Sequence, residues 1–183
     1  MHQIMAELHQ DHIHLARLLT ILEQQSQRFN SEDDDPDLFL MMDIAEYIHN
    51  YPDLVHHPKE DLIYNAFAKQ SEEAKDIVNS LLLQHNAMPS ATTDFQDMLH
   101  NVANNSGIVD KATLKSSLDV FIALQKSHMD IEERELFPLI NETLSDQDWA
   151  MLEQNISDAK DPLFGDKILD HYQNLYQCIE QQA

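Results

Sequence analysis

Four stretches of this chain place apolar residues three and four apart, and in each the stripe is interrupted by a histidine, or by a histidine and a glutamate, where an apolar side chain belongs. The first runs Met5, Leu8, His12, Leu15, Leu19, Leu22, and the second Met41, Ala45, Ile48, Pro52, His56, Glu60, Ile63, Phe67. The third carries Ala74, Val78, Leu81, His85 and Met88, resuming at Phe95, Leu99 and Val102. The fourth carries Leu114, Leu118, Phe121, Gln125, His128, Glu132, Leu136 and Leu139. Helices that bury such stripes must bury the polar members too. The expected architecture is therefore all-α, an antiparallel up-down four-helix bundle with inward histidines and glutamates. With only 2 glycines and 6 prolines, the composition suits long helices better than a turn-rich sheet.

The polar interruptions repeat. His12 to His85 is 73 residues, while His56 to His128 and Glu60 to Glu132 are each 72, so each half is a one-histidine helix followed by a His-x-x-x-Glu helix. Two such hairpins paired about a pseudo-twofold bring six groups together. Residues four apart stay on one helical face, within reach of shared metals. A lone buried histidine is usually just a hydrogen-bonded core residue. Two carboxylates in a bundle core are costlier, and no Lys or Arg lies in these stripes to pair with them. A dinuclear metal site held by His12, His56, Glu60, His85, His128 and Glu132 is the simplest reading, and imidazole with carboxylate suits iron, manganese or zinc. His57 and Asp61 have the same spacing as His56 and Glu60, so the neighbouring register is open as well; the stripe through Ile48 and Ile63 selects His56 and Glu60.

Punctuation divides the rest. Asn30 to Asp37 reads as a solvated interhelix loop; its acid run lacks the glycine and closing glutamate of a calcium loop. Pro52 and Pro58 remove amides from the second helix and predict a kink, Pro89 bends the third, and Asn104–Gly107 ends it. The third helix is expected to begin near Ser71-Glu72-Glu73. Residues 1–145 form the bundle; 146–183, with Trp149, Leu152, a Pro162–Gly165 turn and a terminal amphipathic helix through Ile168, Tyr172, Leu175 and Ile179, read as a short helical extension packed on the same domain.

Several chemistries are excluded. A formal charge of −22, from 11 Lys+Arg against 33 Asp+Glu, disfavours nucleic acid and anionic membranes. Cys178 is the only cysteine, which rules out a disulfide framework and fits a reducing compartment. No signal-like or membrane-length apolar run occurs, so a cytoplasmic location is expected. Glu46-x-x-His49 mimics half of a ferritin-type signature without a second copy, and the methionines read as gap-filling core. His2, His9, His14, His49, His100 and His171 fall off the stripes.

The phrases Gln10-Asp11-His12, His56-His57-Pro58-Lys59-Glu60-Asp61-Leu62 and His128-Met129-Asp130-Ile131-Glu132-Glu133-Arg134-Glu135-Leu136-Phe137-Pro138 resemble the bacterial hemerythrin-like, or HHE cation-binding, family over about residues 5 to 145. The resemblance implies two iron ions, His12, His56, His85 and His128 as terminal ligands, and Glu60 and Glu132 as bridges. Oxygen-carrying relatives use five histidines with His-x-x-x-His in the third helix; here Met88 and Pro89 follow His85 alone. Of about twelve coordination positions on two octahedral ions, the six residues fill about eight and an oxygen bridge two, leaving about two open. The implied function is a non-haem di-iron protein that binds or reacts with dioxygen, peroxide or nitric oxide, as in stress-response and iron-centre repair relatives. A metal or oxygen sensor and a reversible oxygen store are the alternatives.

Overall fold

The computed structural model describes residues 1–32, 34–104, 109–157 and 159–181. Asp33 of the acid run and the expected third-helix terminator at 105–107 lie outside the described residues.

The apolar stripes fold as four long helical arms. The first is α1 (Gln3–Arg28). The second is α2 (Leu38–Ile48), a π-helical stretch His49–His56, and α3 (His57–Phe67) in continuation. The third is α4 (Lys75–Ala103), which passes through Pro89 and starts a few residues after the expected Ser71. The fourth is α5 (Lys111–Ile131), a π-helical turn Glu132–Leu136, and α6 (Phe137–Thr143). Asp37 and Asp110 start the second and fourth arms, accepting hydrogen bonds from the amides of Leu40 (3.0 Å) and Thr113 (2.8 Å). The arms run up and down, with α1 along α5 and α2 along α4.

Both His-x-x-x-Glu arms widen to a π-turn beside a proline. The residue ahead of each proline donates five residues back, His57 to the Pro52 carbonyl and Phe137 to the Glu132 carbonyl. The extra residue per turn gives the Pro58 and Pro138 rings room that an α-turn would deny them. The expected kink thus takes the form of a register insertion. It also corrects the fourth stripe: Leu139, expected inward, is 43% exposed, and Ile140 is fully buried in its place.

The core falls into two apolar blocks. One joins Leu15–Leu22, α2, the far ends of α4 and α5, and Leu163, Tyr172, Leu175 and Ile179 from the C-terminal part. The other joins Ile4–Leu8, α3, the start of α4, and Leu136 to Leu152, including Trp149. The four histidines and two glutamates of the stripes lie between the blocks. After α7 (Asp146–Leu152), the tail turns through Pro162–Gly165, where a side chain on Gly165 would collide with the Asp161 carbonyl. The last helix, α8 (Gln173–Gln181), begins later than expected, with Ile168 ahead of it and Tyr172 in a 3-10 turn.

The inserted residue is testable. Ile140→Ala is expected to cost about 2–5 kcal/mol in urea unfolding, as a buried truncation does, and Leu139→Ala about 0.5 kcal/mol, as an exposed one does. Equal losses would contradict the π-register.

Candidate metal centre

Each arm brings its polar residues to one level of the bundle. The Nε2 atoms of His12 and His56 lie 3.1 Å apart, and those of His85 and His128 lie 3.0 Å apart. Glu60 and Glu132 stand between the two pairs, both with no exposed surface. Glu60 turns Oε1 toward His56 (3.2 Å) and His12 (3.7 Å), and Oε2 toward His85 (3.5 Å). Glu132 turns Oε2 toward His12 (3.4 Å) and Oε1 toward His85 and His128 (both 3.2 Å). Each carboxylate therefore offers one oxygen to each imidazole pair.

A second ring of acceptors holds the imidazoles. The Nδ1–H of His12 donates to Glu133 Oε1 (2.8 Å), that of His56 to Asp11 Oδ2 (3.0 Å), that of His85 to Asp61 Oδ1 (2.5 Å) and that of His128 to Gln84 Oε1 (3.0 Å). With Nδ1 carrying the proton, the neutral ring turns the Nε2 lone pair inward, the tautomer a metal ligand needs. These partners follow the repeat: Asp11 to Gln84 is 73 residues and Asp61 to Glu133 is 72. Stripe reasoning did not find them because they sit beside the ligating positions, off the inward face; their shared offsets were the available signal. Asp61, weighed as a ligand in the alternative register, instead supports His85.

His57 does not point away. It is buried, its ring stacks on that of His85 with centroids 4.5 Å apart, and it shares a compact ligand-atom group with Glu60, His85 and His128; His12, His56 and Glu60 form another. Glu60 belongs to both. A helix of strict α period would direct adjacent residues to different faces; the wide π-turn ending at His56 narrows the angle between them. His57 Nδ1 lies 3.5 Å from Asp53 Oδ1, itself buried and with no hydrogen-bond donor. His49, four residues before Asp53, is 3.8 Å from Asp53 and takes no part in the centre, which disposes of the ferritin-type reading.

The donor set fits a cation. Both Glu60 oxygens and Oε2 of Glu132 are buried without a hydrogen-bond donor, a cost of about 1–3 kcal/mol per unsatisfied group, more when charged. Only Oε1 of Glu132 is satisfied by a hydroxyl, that of Tyr64 at 2.7 Å. Burial works against charge on His56, yet Glu60 and Asp11 more than offset it and raise its pKa to about 10. Burial likewise opposes charge on His85, but Asp61, Glu132 and Glu60 raise it to about 9. His128 is pulled down to about 4 by burial, and His57 well below its usual value by burial and then by the His85 and His56 rings. Burial pushes Glu60 up, while His56, His12 and His85 outweigh it and hold the carboxyl below its ordinary range. Without a cation, protons on His56 and His85 thus offset buried negative charge in this layer.

The sign of the pH effect follows. His56 and His85 hold protons at neutral pH because their pKa values are raised, and a metal requires neutral imidazole, so uptake displaces these protons. Calorimetric titration with zinc or ferrous iron at pH 7, repeated in buffers of different ionisation enthalpy, is expected to show release of about two protons per chain, with apparent affinity rising as pH rises. Binding without proton release would contradict this charge state.

Among the described residues no helix is long and apolar enough to cross a membrane. No curated protein and no solved structure matches the chain. The family profile described as Hemerythrin HHE cation binding domain matches residues 3–140, a span that contains all six inward polar residues, His57 and the four acceptors behind them. The chain belongs to the hemerythrin HHE cation-binding domain family.

Proposed function

We propose that the centre holds two iron ions and binds small oxidants such as dioxygen, peroxide or nitric oxide at one of them. The single observation that carries this reading is a small pocket of about 10 Å³ against His12 and His56, walled by Leu15, Tyr47, Tyr51 and Pro52 with Asp11 at its edge. A volume of this order is at the lower limit for a water-sized guest, so it admits only very small molecules.

The donor geometry supports six-coordinate ions. Two imidazole nitrogens at about 2.1 Å from one ion stand about 3.0 Å apart at a right angle and about 3.4 Å apart at a tetrahedral one. The separations here, 3.1 and 3.0 Å, are those of imidazole hydrogen bonds and are also compatible with two adjacent ligands of a six-coordinate ion such as iron or manganese. In this reading Glu60 and Glu132 bridge, His12 and His56 hold one ion, and His85 and His128 hold the other with His57 as a fifth histidine. The count then changes. With an oxygen bridge, an ion held by His57, His85, His128 and both glutamates would have about six ligands and one held by His12, His56 and both glutamates about five, which would leave about one position for a small ligand.

Bound iron supplies Lewis acidity and electrons to a small oxidant. The chain's own part is to shape the approach. Tyr47 donates its hydroxyl to Asp161 (2.9 Å) and Tyr51 to Asp11 (3.1 Å), so neither is free to protonate a guest in the pocket. Leu15 and Pro52 exclude bulk water, and Tyr64 fixes the orientation of the Glu132 bridge. A sensing role is favoured by a different observation, the position of the centre between two apolar blocks. Loss of metal leaves donorless carboxylates at the middle of the bundle and couples occupancy to stability.

Protein purified without chelators is expected to contain about two ions per chain, and a metal-free, fully folded chain would overturn the reading. Glu60→Ala and Glu132→Ala should abolish stoichiometric metal, while Asp61→Ala, which removes only the support of His85, should weaken affinity about 10–100-fold. Leu15→Phe, which fills the pocket, should keep both ions and lose the nitric-oxide absorption band; retention of that band would place the open position elsewhere. Turnover of peroxide or nitric oxide marks an enzyme, a reversible oxygenated band a store, and a large melting shift without either a sensor.

A further inference from the structure

The four acceptors behind the imidazoles repeat in position but not in chemistry. Behind the His12/His56 pair stand two carboxylates, Glu133 and Asp11. Behind the His85/His128 pair stand one carboxylate, Asp61, and one neutral amide, Gln84. Gln84 occupies the place that Asp11 holds in the other half, 73 residues earlier. Asp11 and Glu133 each take a further donor, Tyr51 at 3.1 Å and His9 at 2.9 Å, which fixes their direction without removing their charge.

An anionic acceptor on Nδ1–H makes the opposite nitrogen a better donor and stabilises higher positive charge on the ion it binds. The His12/His56 position has two rings so supported, and the His85/His128 position one. Tyr64 adds to the difference. Its hydroxyl donates to Glu132 Oε1, the oxygen that faces His85 and His128, and draws electron density from the bridge on that side only, while Oε2, facing His12, has no donor. His57, a neutral third imidazole on the same side, adds donor density there and partly opposes this difference, but brings no anionic charge.

We propose that Gln84 makes the two metal positions electronically unequal, so that in the iron-loaded protein the first electron added to a diferric pair settles on the ion at His85/His128 and the ferric charge is retained at His12/His56. The inference rests on the di-iron reading and adds to it a positioning residue that acts through His128. Each step is a one-electron reduction of Fe(III) to Fe(II), with the electron supplied by the electrode or chemical titrant.

The test is a potentiometric titration of protein reconstituted anaerobically with two equivalents of ferrous iron and then oxidised. Gln84→Glu, nearly isosteric, is expected to stabilise the ferric state at the His85/His128 ion by about tenfold, lowering the first reduction step by about 59 mV and narrowing the gap between steps by a similar amount. Asp11→Asn, which removes the carboxylate from the other side, should narrow the same gap by raising the second step. A Gln84→Glu protein that lowers both steps equally, or leaves the gap unchanged, overturns the proposal. Failure of the wild-type chain to take up two iron ions defeats the metal-centre reading itself and is seen before any potential is measured.

Discussion

Glu60 and Glu132 are withdrawn completely from water at mid-bundle, with three of their four oxygens lacking a hydrogen-bond donor. Removing a carboxylate from water costs several kcal/mol even after relaxation, so the surrounding residues are arranged to return that energy. Four imidazoles turn Nε2 toward these oxygens, four acceptors behind them fix the rings, and the two apolar blocks on either side hold the layer at low dielectric. In the metal-free chain, protons on His56 and His85 supply the balancing charge. A bound metal cation would supply it better, since it would also meet the donorless oxygens.

The π-turns link backbone to chemistry. In the second arm the widened stretch ends at His56 and lets His56 and His57 both face the centre; in the fourth it begins at Glu132 and follows the ligating pair. The halves therefore match at the six inward residues but differ around them. That difference adds a fifth imidazole on the His85/His128 side and leaves the small apolar pocket on the His12/His56 side. A symmetric site would offer two equivalent positions; here the donors around the two imidazole pairs are unequal.

Most of the bundle was legible because burial of an amphipathic face imposes a period that survives in the residue order. His12, His56, Glu60, His85, His128 and Glu132 stood out because they occupy that period with the wrong chemistry, and the structure brings all six together. His57 and Ile140 were hidden for one reason. Stripe reading assumes a constant turn, which is why Leu139 was placed inward and why His56 and His57 were weighed as alternative registers although the widened turn brings both to the centre. The prolines at 58 and 138 marked both insertions, but they pointed equally to a bend. The outer acceptors were unreadable from periodicity, since Asp11, Asp61, Gln84 and Glu133 sit on half-exposed flanks where charged residues are ordinary.

The central claim is that two ions lie side by side in this layer, bridged by Glu60 and Glu132. Anomalous diffraction from crystals of the iron-loaded chain, collected on both sides of the iron absorption edge, tests it most directly. The expected result is two iron peaks, one between His12 and His56 and one among His57, His85 and His128, with both carboxylates reaching both peaks. A single peak, or iron bound away from these residues, would contradict the account.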